Sequence, residues 1–275
     1  MTPAPGRGGR AQGAGHRRPP ARGASGDGLG GGQVEGRQAV RELLLAGRRR
    51  VHQVLIAESA GGPLAELADL ARRRGVPVHA VGRGRIDAAA LTDAPQGVIA
   101  MADPLLGVDL DVLLQRADDA APMLVVLDEV TDPHNLGAVM RSALSAGATG
   151  LVLGRHRSAH LSPSALKAAA GAAEHLAVAV VTGIPAALRT MTDGGVWTVG
   201  LDASGGTTLW DLPVATEAVA IVLGAEGKGL SRLARDRCEL VVRVPMLGPL
   251  DSLNVSATAA LACFEVARRR AAPPT

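Results

Sequence analysis

The chain has 275 residues, of which 47% are hydrophobic and 20% charged, with a formal net charge of +3 at pH 7. That length suits two ordinary domains, and the balance of apolar and charged residues is that of a soluble globular protein rather than a disordered one. No apolar run approaches the ~20 residues of a membrane span, the two cysteines, Cys238 and Cys263, allow neither a disulfide framework nor a four-ligand zinc site, and the three aromatics, Trp197, Trp210 and Phe264, are too few for a single-strand binder built on stacking.

Residues 1–32 are rich in Gly, Ala, Pro and Arg and lack the apolar stretch of a secretory signal, so they read as a disordered tail. Its arginines, Arg7, Arg10, Arg17, Arg18 and Arg22, face one acid, Asp27. They account for the whole positive excess, so the electrostatic sign of a nucleic-acid partner lies in the tail, and the rest of the chain is close to neutral. The cysteine usage fits a reducing, cytoplasmic setting.

Residues 33–103 alternate helical and extended patterns in a small first domain. Val40, Leu43 and Leu44 share one helix face that Gly47 ends, and VHQVLIA from Val51 reads as a strand. Leu64 to Arg74 returns as a helix with Leu64, Leu67, Ala68 and Ala71 inward; VPVHAV and GVIAMA follow as strands. Residues 104–121, with Pro104 near one end and Pro122 just beyond the other, read as a linker with a helical turn or two around Val112 to Arg116.

From residue 122 to 275 the alternation strengthens. MLVVLDEV suits a strand buried on both faces of a parallel sheet, and a helix follows with Pro133 in its first turn and Leu136, Val139, Met140 and Ala143 as its buried stripe. Strands recur at GLVLG, LAVAVV, VWTVGLD, AVAIVLG and ELVVRVP, and a helix from about Leu253 to Arg270 closes the chain. This is the pattern of an α/β domain with a Rossmann-like, mostly parallel sheet.

Ligands of such sheets bind beyond the carboxyl ends of the strands, and three junctions there are rich in polar chemistry. DEVTDPHNLGAVMRSA holds Asp128, Asp132, His134, Asn135 and Arg141; Asp132 also suits a helix cap, and Arg141, beside a buried stripe, needs a partner. VLGAEGKGLSRL places Gly224, Gly227 and Gly229 around Glu226, but in neither the dinucleotide nor the P-loop spacing. That counts against a nucleotide-dependent dehydrogenase or kinase. VPMLGPLDSLNVSATAA brings Ser252, Asn254 and Ser256 to a helix start beside Val244 and Met246, a mixture suited to an adenosyl group.

Together the three junctions resemble, in order and spacing, the motifs of the SpoU (TrmH) family of RNA 2′-O-ribose methyltransferases, and residues 33–103 look like the L30e-like substrate-binding domain of its ribosomal members. The resemblance implies a trefoil knot in the C-terminal SPOUT domain, S-adenosyl-L-methionine as cofactor, no metal, and a homodimer. It carries catalytic roles onto Asn135, Arg141, Glu226, Ser252 and Asn254, and cofactor contacts onto Gly200, Leu223, Gly224, Val244, Met246, Leu253 and Ser256. The implied partner is RNA, with a guanosine of 23S ribosomal RNA favoured over an adenosine. Guanidinium groups lose their proton only above ~12, so phosphate clamping suits Arg141 better than proton abstraction. The rival from another class, an RNA-binding protein without activity, sits poorly with five intact motif residues.

Overall fold

A computed structural model describes residues 28–58, 62–115 and 121–272. The five tail arginines and Arg116 lie outside the described residues.

The first unit comprises β1 (Gln33–Glu35), α1 (Arg37–Ala46), β2 (Val51–Ala57), α2 (Pro63–Arg73), β3 (Val78–Val81), α3 (Arg83–Ala89) and β4 (Val98–Ala102). Its sheet runs β1-β4-β2-β3, with β4 antiparallel to both β1 and β2, and β3 parallel to β2. Helix α1 buries Val40, Leu43 and Leu44 and stops where Gly47 turns left-handed (φ 57°) and returns its N–H to the Leu43 carbonyl. Leu67, Ala68 and Ala71 of α2 are buried, and Leu64 packs at the margin.

The second unit comprises α4 (Leu110–Leu114), β5 (Met123–Leu127), α5 (Pro133–Ser145), β6 (Gly150–Gly154), α6 (Pro163–Ala169), β7 (Ala177–Val181), α7 (Ile184–Asp193), β8 (Trp197–Leu201), β9 (Thr207–Thr208), β10 (Val219–Leu223), α8 (Arg232–Arg237), β11 (Leu240–Arg243) and α9 (Val255–Ala271). The sheet order is β7-β6-β5-β10-β8-β11-β9, and every pairing is parallel. Successive residues of a strand point to opposite faces. Met123, Val125 and Leu127 accordingly join the core under α5 and α9, and Leu124 and Val126 join the one under α7 and α8. All five are buried, as a parallel strand covered on both faces requires. No described helix is long and apolar enough to cross a membrane.

Two expectations about the connecting segments change. Residues 28–32 are not tail: Leu29 N–H donates to the Leu105 carbonyl, Gly28 bridges Leu106, Gly30 bridges Leu161, and Ala102 N–H donates to Gly32. Backbone pairing needs no side chains, so a glycine-rich sequence conceals it. The segment after Pro104 is likewise packed. Val108 N–H donates to the Val178 carbonyl of β7, and α4, placed two residues before the expected turn, buries Leu113 against Gly150.

The two units meet over a buried ion pair. Arg49 Nη2 lies 2.6 Å from Glu174 Oε1, with side-chain exposures of 6% and 2%, so both charges are withdrawn from water. Arg49 Nη1 also donates to the carbonyls of Gly31 and Asp103, and Arg48 donates to that of His175. One guanidinium thus joins the first unit, the 28–32 segment and the turn before β7 in the second unit.

Candidate active site

Because β5, β8, β10 and β11 are parallel, their following loops emerge on one edge of the sheet. Each loop is held by its own local device. Asp128, buried after β5, accepts from Ser231 N–H at 2.7 Å and ties that loop to the start of α8. Asp132 caps α5 by accepting from His134 N–H at 2.9 Å, so the capping reading of Asp132 holds. Asn254 caps α9 through Oδ1, which accepts from Ser256 N–H at 2.8 Å and from its hydroxyl at 2.6 Å.

Three of the expected residues converge. Asn135 Nδ2 donates to Glu226 Oε1 at 3.0 Å; Asn254 Nδ2 donates to the same oxygen at 2.5 Å and to Asn135 Oδ1 at 3.0 Å. The closed triangle links the loops after β5, β10 and β11. Glu226 itself is exposed, so the carboxylate is oriented by amides while still facing the outside.

Beside the triangle lies a cleft of about 320 Å³ lined by Leu223, Gly224, Glu226, Val244, Met246 and Leu253, with Ser252 on its rim. Gly224 is obligatory there, since a Cβ would fall 2.0 Å from the Gly229 carbonyl carbon, a backbone atom that cannot step aside. Gly200 does not line the cleft. It is buried within β8, where a side chain would press on Leu230 and Cys238 at 2.8 and 3.0 Å. Ser256 is also off the lining and serves the Asn254 cap. Arg141 lies on the exposed side of α5, lines neither this cleft nor the one beside it, and makes no side-chain hydrogen bond among the described residues.

Sequence reasoning missed Asp202, which lines the cleft from the end of β8. The hydroxyl of Ser204 holds its carboxyl below the usual range, outweighing partial burial, with Ser204 N–H and Arg235 adding to the effect. The rule that function follows each buried strand would have found it after VWTVGL. Also missed were Glu129 and Arg157, which line a second cleft of about 380 Å³ that shares Ala225, Glu226 and Lys228 with the first.

A crevice at the carboxyl edge of a parallel sheet, floored by an obligatory glycine and rimmed by oriented carboxylates, defines a ligand-binding α/β protein, and comparison with known proteins gives its class. Residues 122–264 match the model of the SpoU rRNA Methylase family, and residues 33–106 match that for RNA 2′-O ribose methyltransferase substrate binding. YacO of Bacillus subtilis (strain 168), assigned to the TrmH family of tRNA/rRNA methyltransferases, is 35% identical over 239 residues, covering 86% of this chain and 95% of that one. An uncharacterized tRNA/rRNA methyltransferase of Mycolicibacterium gilvum (strain PYR-GCK) is 40% identical over 240 residues, covering 86% and 76%. The fold is shared with the SpoU methyltransferase AviRb from Streptomyces viridochromogenes, at a TM-score of 0.72 and 24% identity over 86% of this chain and 89% of that one. It is shared also with an AdoMet-bound rRNA methyltransferase from Sinorhizobium meliloti, at 0.69 and 24% over 88% of each. The protein is an RNA methyltransferase. It belongs to the SpoU (TrmH) family of RNA 2′-O-ribose methyltransferases.

Proposed function

We propose that this chain transfers a methyl group from S-adenosyl-L-methionine to the ribose 2′-hydroxyl of a guanosine in 23S ribosomal RNA, in the cytoplasm. In this reading residues 33–103 hold the RNA, 104–121 connect, and 122–275 bind the cofactor and carry the chemistry. The observation that carries it is the Asn135–Glu226–Asn254 triangle at the lip of the 320 Å³ cleft.

The cleft fits the cofactor on its own chemistry. Leu201, Leu223, Val244, Met246 and Leu253 give it apolar walls for an adenosyl group, while Asp202 and Glu226 set negative charge where a cationic ligand is favoured. Its volume lies within the usual range for small-molecule sites. When bound, S-adenosyl-L-methionine supplies an electrophilic methyl carried on a sulfonium.

The remaining work falls to the chain's own groups. Asn135 and Asn254 fix Glu226, so the rim does not reorganise when a substrate arrives, and positioning of this kind supplies much of the rate in a simple displacement. Ser252 offers a hydroxyl at the rim. Arg141, a guanidinium donor on the α5 surface, clamps a phosphate of the RNA. In the first unit, a groove of about 500 Å³ presents the exposed guanidinium groups of Arg50 and Arg74 to an RNA backbone.

The active form in this reading is a homodimer. Ala259 and Ala262 of α9 are buried in the chain's own core and let the helix approach the sheet and α5, so they are not free to meet a second copy. The contact falls instead to Leu261, Phe264 and Trp210, which leave an exposed apolar patch on α9 and the turn beside it.

Titration of the full chain with S-adenosyl-L-methionine, NAD and ATP, followed by mapping of 2′-O-methyl positions in 23S ribosomal RNA with and without the protein, tests the reading. Binding of the first alone and loss of one guanosine methylation are expected. An unchanged methylation map overturns the RNA assignment.

A further inference from the structure

The second cleft has a feature that the methyl-transfer reading does not use. Glu129, after β5, and Arg157, after β6, both have left-handed backbones, at φ 59° and 54°. For residues other than glycine this conformation is uncommon and costs about 1 kcal/mol or more, and it concentrates at ligand clamps and switch loops. These two residues are paired with each other, Arg157 Nη1 lying 2.8 Å from Glu129 Oε1. The pair stands at the mouth of the cleft that Asp132, Asn135, Glu226 and Lys228 complete.

The pairing is shallow. The Arg157 side chain is 77% exposed and that of Glu129 35%, so the ion pair contributes little to holding the loops. The adjoining Ser158 hydroxyl is buried with no hydrogen-bond partner among the described residues, an unusual deficit that leaves the Arg157 loop a bond short. The other acids of the cleft already accept from neutral donors. Asp132 takes His134 N–H, and Glu226 takes Asn135 and Asn254. Glu129 therefore occupies the one guanidinium here, and a stronger, more permanently charged acceptor would displace it.

We propose that this second cleft is the seat of the target nucleotide, and that Arg157 exchanges Glu129 for a backbone phosphate of the RNA when the nucleotide enters. The inference rests on the methyl-transfer reading for the direction of the exchange, since the two clefts share Glu226 and a ribose in the second faces the cofactor across it. Glu129 acts as a placeholder that keeps Arg157 in register while RNA is absent. Lys228, which lines both clefts, adds a second cation to the same phosphate backbone.

The test uses the full chain, deproteinised 23S ribosomal RNA from cells lacking the protein, and two variants, Arg157→Asn and Glu129→Asn. Asparagine tolerates the left-handed backbone, so each change removes a charge without adding strain. Arg157→Asn is expected to weaken RNA binding about tenfold and to lower the slope of log affinity against log salt by about 0.7 to 0.9, the signature of one lost phosphate contact. Its affinity for S-adenosyl-L-methionine stays at the wild-type value. Glu129→Asn, which frees Arg157, is expected to tighten RNA binding about two- to fivefold, the worth of an exposed ion pair. Wild-type affinity or an unchanged salt slope in Arg157→Asn overturns the proposal, as does equal weakening by both variants, which would make the pair a brace for the loops. Methyl transfer is scored separately. A wild type whose RNA binding shows the Arg157 contact but which transfers no methyl leaves the nucleotide seat standing and removes the proposed reaction.

Discussion

Asn135 donates its side-chain amide to Glu226 Oε1 at 3.0 Å across 91 residues of chain, and Asn254 closes the contact from the other side. The loop after β10 is thereby fixed to the start of α5 and to the start of α9. Replacing Glu226 by alanine leaves two amides without their shared acceptor, a loss of about 1–3 kcal/mol where charged hydrogen bonds are broken. Calorimetric titration should show S-adenosyl-L-methionine affinity falling about tenfold or more in Glu226→Ala and Asn254→Ala. Wild-type affinity in both would remove the triangle from the cofactor site.

Arg141 should behave in the opposite way. It touches neither cleft, so Arg141→Ala is expected to leave cofactor affinity near normal while turnover with RNA falls about 10- to 100-fold, the cost of one lost charge-assisted contact to a phosphate. Single-turnover methyl transfer beside a binding titration separates the two. Equal losses of affinity and rate would contradict the role.

The close packing of α5 on α6 rests on Gly137, where a Cβ would lie 2.3 Å from the Ala165 carbonyl oxygen and 2.7 Å from Ala169 N. Neither backbone atom can yield without moving the helix. Gly137→Ala should destabilise the protein by about 1–3 kcal/mol or more, as overpacked cores do, and chemical denaturation would register it as a lower midpoint.

Removing Arg49 strands a carboxylate, Glu174, at 2% exposure. Breaking one side of a buried pair costs about 3–5 kcal/mol, whereas replacing both partners with apolar residues is far milder. Arg49→Met should therefore lower the thermal midpoint more than the double variant Arg49→Met/Glu174→Met does. The reverse order would mean that the pair does not govern the junction.

Alkaline stability should track the two thiols. Burial, with Asp128 and Glu239 nearby for Cys238, pushes both Cys238 and Cys263 from about 9 up to about 12. The folded state thus retains thiol protons that the unfolded chain gives up, so the contribution is intact below pH 9 and is lost as pH rises from 9 toward 12. Lys167 and Lys228 are the only lysines and there is no tyrosine, so few other side chains titrate in that window. Denaturation midpoints measured from pH 8 to 11 should fall in the wild type and fall less steeply in a Cys238→Ala/Cys263→Ala variant.

Much of this was legible in the chain, where burial follows a simple period. Met123 to Leu127 announces a strand covered on both faces, and the stripe Leu136, Val139, Met140 and Ala143 announces the helix after it. Strand β1 was not legible. Opposite Val34, which joins the core, it buries Glu35, a carboxyl residue at 0% exposure, which is tolerable only because Leu91 N–H, the Thr92 N–H and hydroxyl, and Gln33 all donate to it from distant or neighbouring positions. Helix α3 escaped for a similar reason: it contains Gly84 and buries only Ile86, so it shows no periodic face.

At the site, residue types and spacing singled out Asn135, Glu226 and Asn254, but not the bonds that join them. Those bonds depend on β10 lying beside β5, a pairing that the local pattern of neither strand encodes. Glu129 and Arg157 stayed hidden because a left-handed backbone at a charged residue leaves no mark on the sequence.

The position of β10 also governs the order of assembly. Strand β8 emerges from the ribosome before β10, yet in the sheet it stands on the far side of it from β5. A growing chain must keep β5 and β8 about two strand spacings apart, roughly 9.6 Å, or part them again when residues 219–223 arrive. Long-range parallel pairings of this kind form slowly. The strand that bridges the sheet also leads directly into Gly224 and Glu226, while Val244, Met246, Leu253 and Asn254 follow it in the chain, so a nascent chain stalled before residue 219 has neither the apolar walls of the cleft nor the carboxylate at its lip.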